Sequence, residues 1–175
     1  MLKKIAIVIV VAIIAVLGFA ATKPDSFRVE RSATIKAPPE KIFAYINDFH
    51  RWNQWSPYEK LDPAMTRTLS GAESGKGAVY EWSGNNDAGA GRMEITDATP
   101  ASKITIKLDF SKPMECHNTA EFTFKPQGDS TQVSWAMTGP MPFIAKVMSL
   151  FFNMDQMIGK DFETGLGNLK TLSEK

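Results

Sequence analysis

A chain of 175 residues with 43% apolar content can bury one sizeable core but hardly two, so a single globular domain is expected. Lys3 and Lys4 precede the first apolar run, which leaves residues 22–175 with eighteen basic against nineteen acidic groups and no electrostatic footprint for nucleic acid. The lone Cys116 excludes an internal disulfide, and two separated histidines, His50 and His117, offer no zinc or haem spacing; no metal or cofactor is expected.

The first element is Ile5 to Ala21, seventeen residues without a charged or strongly polar side chain. As a helix it spans about 25 Å, the short end of a bilayer crossing. Two readings fit residues 1–21: a retained membrane anchor, or a signal segment cleaved near the small residues Gly18 and Ala20. The run is longer and richer in Ile and Val than the usual signal core, which favours the anchor. The two lysines ahead of it favour a cytoplasmic N-terminus and a soluble domain on the extracytoplasmic, periplasmic side, although Lys23, Arg28 and Arg31 blunt the asymmetry. Residues 22–26 form a polar linker containing Pro24, too short to let the domain wander from the membrane surface.

The domain proper is assigned to residues 27–175. Phe27, Val29, Ala33 and Ile35 alternate with polar neighbours, the two-residue period of a half-buried strand, with Arg31 on the apolar face. An arginine there more often snorkels past a strand end than binds a ligand. Pro38-Pro39-Glu40 opens a short helix with Ile42, Phe43 and Ile46 on one side, and a second short helix carries Phe49, Trp52 and Trp55 up to Pro57. Six strands are then predicted over about 64–70, 77–84, 89–98, 102–110, 114–125 and 130–139, separated by turn residues at hairpin spacing. An antiparallel meander follows.

Alternation gathers Tyr80, Trp82, Met93, Ile95, Ile104, Ile106, Leu108, Phe110, Phe122, Phe124, Val133, Trp135 and Met137 on one face of that sheet. A one-sided sheet needs a cover. The segment Phe143 to Leu172 supplies it, with Val147, Phe151, Met154, Ile158, Phe162, Leu166 and Leu169 at helical spacing. The expected fold is α+β, a curved antiparallel sheet of about seven strands wrapped around a long C-terminal helix.

This order of elements resembles the START-like, or SRPBCC, superfamily, and more narrowly its polyketide cyclase/dehydrase-type branch. The resemblance is carried by Ile35-Lys36-Ala37-Pro38-Pro39-Glu40-Lys41-Ile42-Phe43, by Trp52-Asn53-Gln54-Trp55-Ser56-Pro57-Tyr58, by Gly75-Lys76-Gly77-Ala78-Val79-Tyr80-Glu81-Trp82 and by Met154 to Glu163. It implies a helix-grip fold with a cavity between sheet and helix that takes lipids, sterols, polyketides or other apolar molecules. A fold of this kind carries many functions, so cyclase activity does not follow from the resemblance.

The residues themselves show no catalytic constellation: there is no serine-histidine-acid set and no phosphate-binding loop. His117 alternates with Cys116 and Asn118, so it points outward where those two point inward, and it reads as a solvated strand residue. Cys116 reads as a small buried hydrophobe, with nothing cationic beside it to form a thiolate. Glu81 and Glu94 read as outer-face charges. Trp82, Phe110, Phe122, Phe124 and Trp135 from the sheet, with Met154, Ile158 and Phe162 from the helix, are the candidate ligand-binding residues if the resemblance holds. Trp52, Trp55 and Tyr58 form either a rim of that cavity or a hydrophobic plug under the short helices. Three functions remain open: a membrane-tethered module binding or transferring an apolar small molecule, a cyclase- or dehydratase-type enzyme acting on such a molecule, and a protein-interaction domain with a filled core.

Overall fold

The computed structural model describes residues 2–175. Helix α1 (Leu2–Ala21) stands apart from the domain core, and strand β1 (Ser26–Ile35) follows after four linker residues. Helix α2 (Pro39–Ile46) begins with Pro39 in its first turn, where a missing N–H costs nothing, and buries Ile42 and Ile46. Two 3-10 turns follow, Phe49–Gln54 and Pro57–Lys60; Asp48 caps the first by accepting from the His50 N–H at 2.9 Å.

Strands β2 (Thr66–Gly71), β3 (Ala78–Ser83), β4 (Ala90–Thr99), β5 (Lys103–Lys112), β6 (Cys116–Gln127) and β7 (Ser130–Pro140) form the expected meander. The sheet has seven strands in the order β1-β7-β6-β5-β4-β3-β2, so β1 closes one edge by pairing antiparallel with β7 from Ser26↔Pro140 to Ile35↔Thr131. Register shifts at Ala90/Gly91 and Ile95/Asp97 in β4 bend the sheet over its apolar face. Every one of the thirteen residues assigned inward by alternation is buried or half-buried, and His117 is exposed on the other face beside Asp109.

The C-terminal cover differs from the single helix that the spacing predicts. Helix α3 (Phe143–Met148) ends at Ser149, and α4 (Met154–Ser173) starts afresh with Asn153 accepting from the Gln156 N–H at 3.1 Å. The Ser149 hydroxyl turns back to the Lys146 carbonyl at 2.7 Å, and Phe151 in the intervening turn is exposed rather than part of the apolar stripe. Helical spacing of apolar residues ran through a break because Leu150, Phe151 and Phe152 are as apolar as a core stripe; only the flanking Ser149 and Asn153 carry the stop and start.

Helix α4 lies against β1 and the sheet's inner face, burying Phe162, Leu166 and Leu169 almost completely. Gly165 makes this possible: a Cβ there would come within 2.8 Å of the Trp135 ring and 3.2 Å of Pro57. Arg31 does not snorkel. Its guanidinium donates to Asp155 at 2.8 and 3.0 Å and to Glu163 at 2.8 Å, passing over Gly159, and so fastens α4 to β1. Hydrogen bonding to the two carboxylates, Asp155 foremost, raises the Arg31 pKa and lowers that of Asp155.

Candidate functional site

The inner face of the sheet divides into two halves. The half under α2 and the short turns is an aromatic stack. Phe162 lies on Trp135 with centroids 4.0 Å apart and planes 10° from parallel, and Trp135 lies on Phe122 at 4.9 Å. Trp55 meets both Phe122 and Trp135 edge-on, at 6.0 and 5.6 Å, and Trp52 packs on Trp55 at 4.8 Å. Phe124 packs on Phe43 at 5.6 Å. Rings at these separations are in van der Waals contact, so no guest fits between them. Trp52 and Trp55 are a plug rather than a rim: both are buried, and their indole N–H groups donate to the Ile46 and Tyr45 carbonyls at 2.9 and 3.2 Å.

The other half lies toward the end of the sheet where β1 starts and β7 finishes, and there burial is incomplete. Trp82, Met93 and Phe110 on the sheet, Phe27 on β1, and Met154 and Ile158 at the start of α4 are all half-buried. Trp82 stands edge-on to Phe110 at 5.6 Å, and its N–H donates to the Ala88 carbonyl at 3.0 Å. Gly91, between the two in register, is what lets the indole reach across β4: a Cβ there would come within 2.5 Å of it. Of the eight candidate binding residues, the structure gathers Phe122, Phe124, Trp135 and Phe162 into the closed half. Trp82, Phe110, Met154 and Ile158 belong to the half-buried set.

Two polar arrangements on the inner side escaped the sequence reading. Glu59, nearly buried at the second 3-10 turn, accepts from Arg67 at 2.6 Å and from the Tyr80 hydroxyl. Burial first, and the hydrogen bond to Glu59 second, raise the Tyr80 phenol above its ordinary pKa. Tyr58, edge-on to Trp135 at 6.3 Å, is raised likewise by burial and then by the charge of Asp161, whose own carboxyl is raised by burial. Nothing in the spacing of Glu59, Arg67 and Tyr80 announces the first group, because it is assembled by β2–β3 pairing and a turn. Deep in the stack, the Trp135 N–H is buried without a partner, and an unpaired donor there costs about 1–3 kcal/mol unless an acceptor reaches it.

Cys116 is half-buried and burial raises its thiol, which makes it a poor nucleophile. Among the described residues no group of three or more His, Cys, Asp or Glu side chains is placed to hold a metal. Two open depressions mark the surface. One runs along β2 beside Phe49 and His50; the other lies between Arg92, Asp109 and His117 on the charged outer face and reaches Gly91 and Phe110.

Within helix α1 the nineteen residues Lys3–Ala21 include a window of mean hydropathy 2.8, long and apolar enough to cross a membrane. Residues 26–174 match the family model described as polyketide cyclase / dehydrase and lipid transport. No curated protein sequence matches the chain. Among solved structures, the fold is similar to the di-domain ARO/CYC protein BexL from the BE-7585A biosynthetic pathway, with a TM-score of 0.67 and 16% identity over 91% of this chain and 53% of that one. It is also similar to the di-domain ARO/CYC protein StfQ from the steffimycin pathway, with a TM-score of 0.62 and 12% identity over 85% of this chain and 51% of that one. Protein CV1439 from Chromobacterium violaceum is similar along almost its whole length, with a TM-score of 0.60 and 14% identity over 87% of this chain and 99% of that one. Identities this low speak for the fold alone.

Proposed function

The chain belongs to the polyketide cyclase / dehydrase and lipid transport family, and from that footing we propose that it is a membrane-tethered module that binds or transfers an apolar small molecule between its sheet and its C-terminal helix. The observation that carries the reading is the division of the inner face. A filled aromatic half gives the domain its stability, and a half-buried set containing Trp82, Phe110 and Ile158 leaves apolar surface at one end for a guest. Covering such surface yields about 25 cal/mol per Å², so a few hundred Å² supplies several kcal/mol before association costs. The tether adds to this. A domain held by α1 samples lipid-dissolved molecules at a local concentration that bulk water does not offer. Lys3 and Lys4 ahead of the span favour the extracytoplasmic side for the domain, against the weaker opposing charge of Lys23, Arg28 and Arg31 beyond it.

The test uses residues 22–175, whose main hydrophobic cluster is drawn from positions 27 to 172, with Ala20 of α1 buried outside it. An environment-sensitive apolar dye is titrated into this domain and into its Ile158→Trp variant, which enlarges a half-buried residue at the start of α4 beside the open half. The expected result is saturable binding by the wild-type domain, lost in the variant with little change in melting. If the variant instead loses about 1–3 kcal/mol through overpacking and the wild type binds no dye, the container reading fails. The stacked half would then favour the alternative, a protein-interaction domain with a filled core. A cyclase- or dehydratase-type reaction has one geometric feature in its favour, the Tyr80 phenol on the inner face beside Trp82, 6.2 Å away between ring centroids, with the Glu59 carboxylate as its hydrogen-bond acceptor. That reading requires Tyr80→Phe to abolish turnover of a bound substrate without abolishing its binding.

A further inference from the structure

The largest exposed apolar side chains outside α1 concentrate on one segment. Phe143, Ile144, Met148, Phe151 and Phe152, on α3 and the turn after it, all face solvent, with Phe151 68% and Ile144 60% exposed. Met157 on the first turn of α4 is exposed as well. From Met141 to Met154 the one charged residue is Lys146, and it is turned inward, 8% exposed, with its ammonium on Asp25 at 2.6 Å. A soluble domain rarely leaves so many large apolar groups together in water.

Position supplies the occupant. Helix α3 packs against α1. The chain leaving α1 is pinned at once: the Thr22 hydroxyl donates to the Phe19 carbonyl at 2.7 Å, and the Lys23 ammonium lies 5.2 Å from the Phe19 ring centre. Two residues later Asp25 is held twice by the β7–α3 junction, its carbonyl accepting from the Met141 N–H at 2.7 Å and its carboxylate from Lys146. With both ends of the linker tied, α3 has no freedom to leave the end of α1. If α1 crosses a bilayer, its C-terminal end sits at the bilayer surface, and so does α3.

We propose that residues 143–152 form a second membrane contact, an interfacial wedge with Phe151 and Phe152 among the acyl chains of the same bilayer that α1 crosses. The inference rests on the membrane reading of α1. An apolar element of this kind sits about 5–10 Å into the boundary between headgroups and chains, with its polar groups turned away, as Lys146 is here. The wedge fixes orientation as well as distance. It faces the sheet end where β1 starts and β7 finishes, the end that carries Phe110 near the Phe110↔Cys116 pair and Trp82 opposite Gly91. The half-buried side of the domain is thereby presented to lipid, and an apolar molecule reaches it without crossing water.

The experiment uses the full chain in vesicles of phosphatidylethanolamine and phosphatidylglycerol. In a Cys116→Ser background, a nitroxide is placed in turn at Phe151→Cys, at Val10→Cys in the middle of α1 and at Lys107→Cys on the outer face of the sheet. Collision with oxygen, which dissolves in lipid, is compared with collision with a water-soluble nickel chelate. The expected pattern is oxygen over nickel at 151 as at 10, with the ratio inverted at 107. Nickel access at 151 with oxygen access retained at 10 would overturn the wedge while leaving the tether standing. Nickel access at 10 would overturn the tether and the wedge with it. Protection of 151 from both agents would mean that protein, a second copy or a partner, covers the patch, which also overturns the proposal.

Discussion

The two halves of the inner face are built from the same residue classes at the same alternation, yet one is closed and the other is not. Phe122, Phe124 and Trp135 occupy inward positions in β6 and β7 just as Trp82 and Phe110 do in β3 and β5. What differs is the cover. Over the closed half, α4 delivers Phe162 and Leu166 onto the sheet, and the 3-10 turns deliver Trp52 and Trp55. Toward the other end α4 is starting, α3 has already turned away, and Trp82 meets Phe110, Tyr80, Gly91 and the Ala88 carbonyl. Period in a strand therefore assigns a face, while depth of burial is set by what lies opposite.

The comparison breaks most readily at the stack. Phe162→Ala removes a ring fully buried on Trp135 and should cost about 3–5 kcal/mol, a large share of a typical domain stability, read as a drop in the denaturant midpoint. A loss below about 1 kcal/mol would mean that α4 does not close this half. Trp82→Ala removes a larger side chain, but one already half in water, and should cost less than Phe162→Ala by the same measurement. If Trp82→Ala proves the more damaging, the two halves are not different in kind. Gly165→Ala sharpens the point further. It gains about 1 kcal/mol of helix propensity and loses about 1–3 kcal/mol to strain against the locked Trp135 ring, so a small net destabilisation is expected where an exposed glycine such as Gly167 would show a gain.

The sheet, its one-sided face and its seven strands were legible because β5, β6 and β7 alternate cleanly and the gaps carry turn residues, although β2 is exposed throughout and shows no alternation. So was the outward His117. The break between α3 and α4 was not, since Leu150, Phe151 and Phe152 continue the apolar spacing even though Phe151 and Phe152 are exposed. The roles of Arg31 and Glu59 were hidden for a different reason. Arg31 finds Asp155 and Glu163 more than a hundred residues away, and Glu59 finds Arg67 and Tyr80 only once β2 and β3 pair. Of the candidate site, the sequence made the residue types and the inward face readable. Which of them pack into a finished core was a property of α4 and the turns.

The smallest expected effect concerns the border between the halves, where Asp161 on α4 lies close enough to the half-buried Tyr58 for its charge to add to the raised phenol pKa. Burial raises the Asp161 carboxyl above its ordinary value, so the folded state holds this proton more tightly than the unfolded chain does. The sign follows from linkage. The favourable contribution is fully present below the ordinary carboxylate pKa and is lost as pH rises from there through the raised folded value, because the folded protein must then carry a poorly solvated charge. Asp155 and its partner Arg31 act in the opposite sense: that carboxyl is lowered, so its contribution is present above the ordinary value and lost as pH falls through the lowered one. Asp161→Asn keeps the shape and removes the charge, and it should raise the melting temperature modestly at neutral pH while leaving it unchanged in acid. Asp155→Asn should do the reverse, lowering the melt at neutral pH and converging with the wild type in acid. Paired melts of the two variants across the acid range separate the effects, and a neutral-pH loss in Asp161→Asn would show that the carboxylate is instead held there by an acceptor-seeking partner such as the Tyr58 hydroxyl.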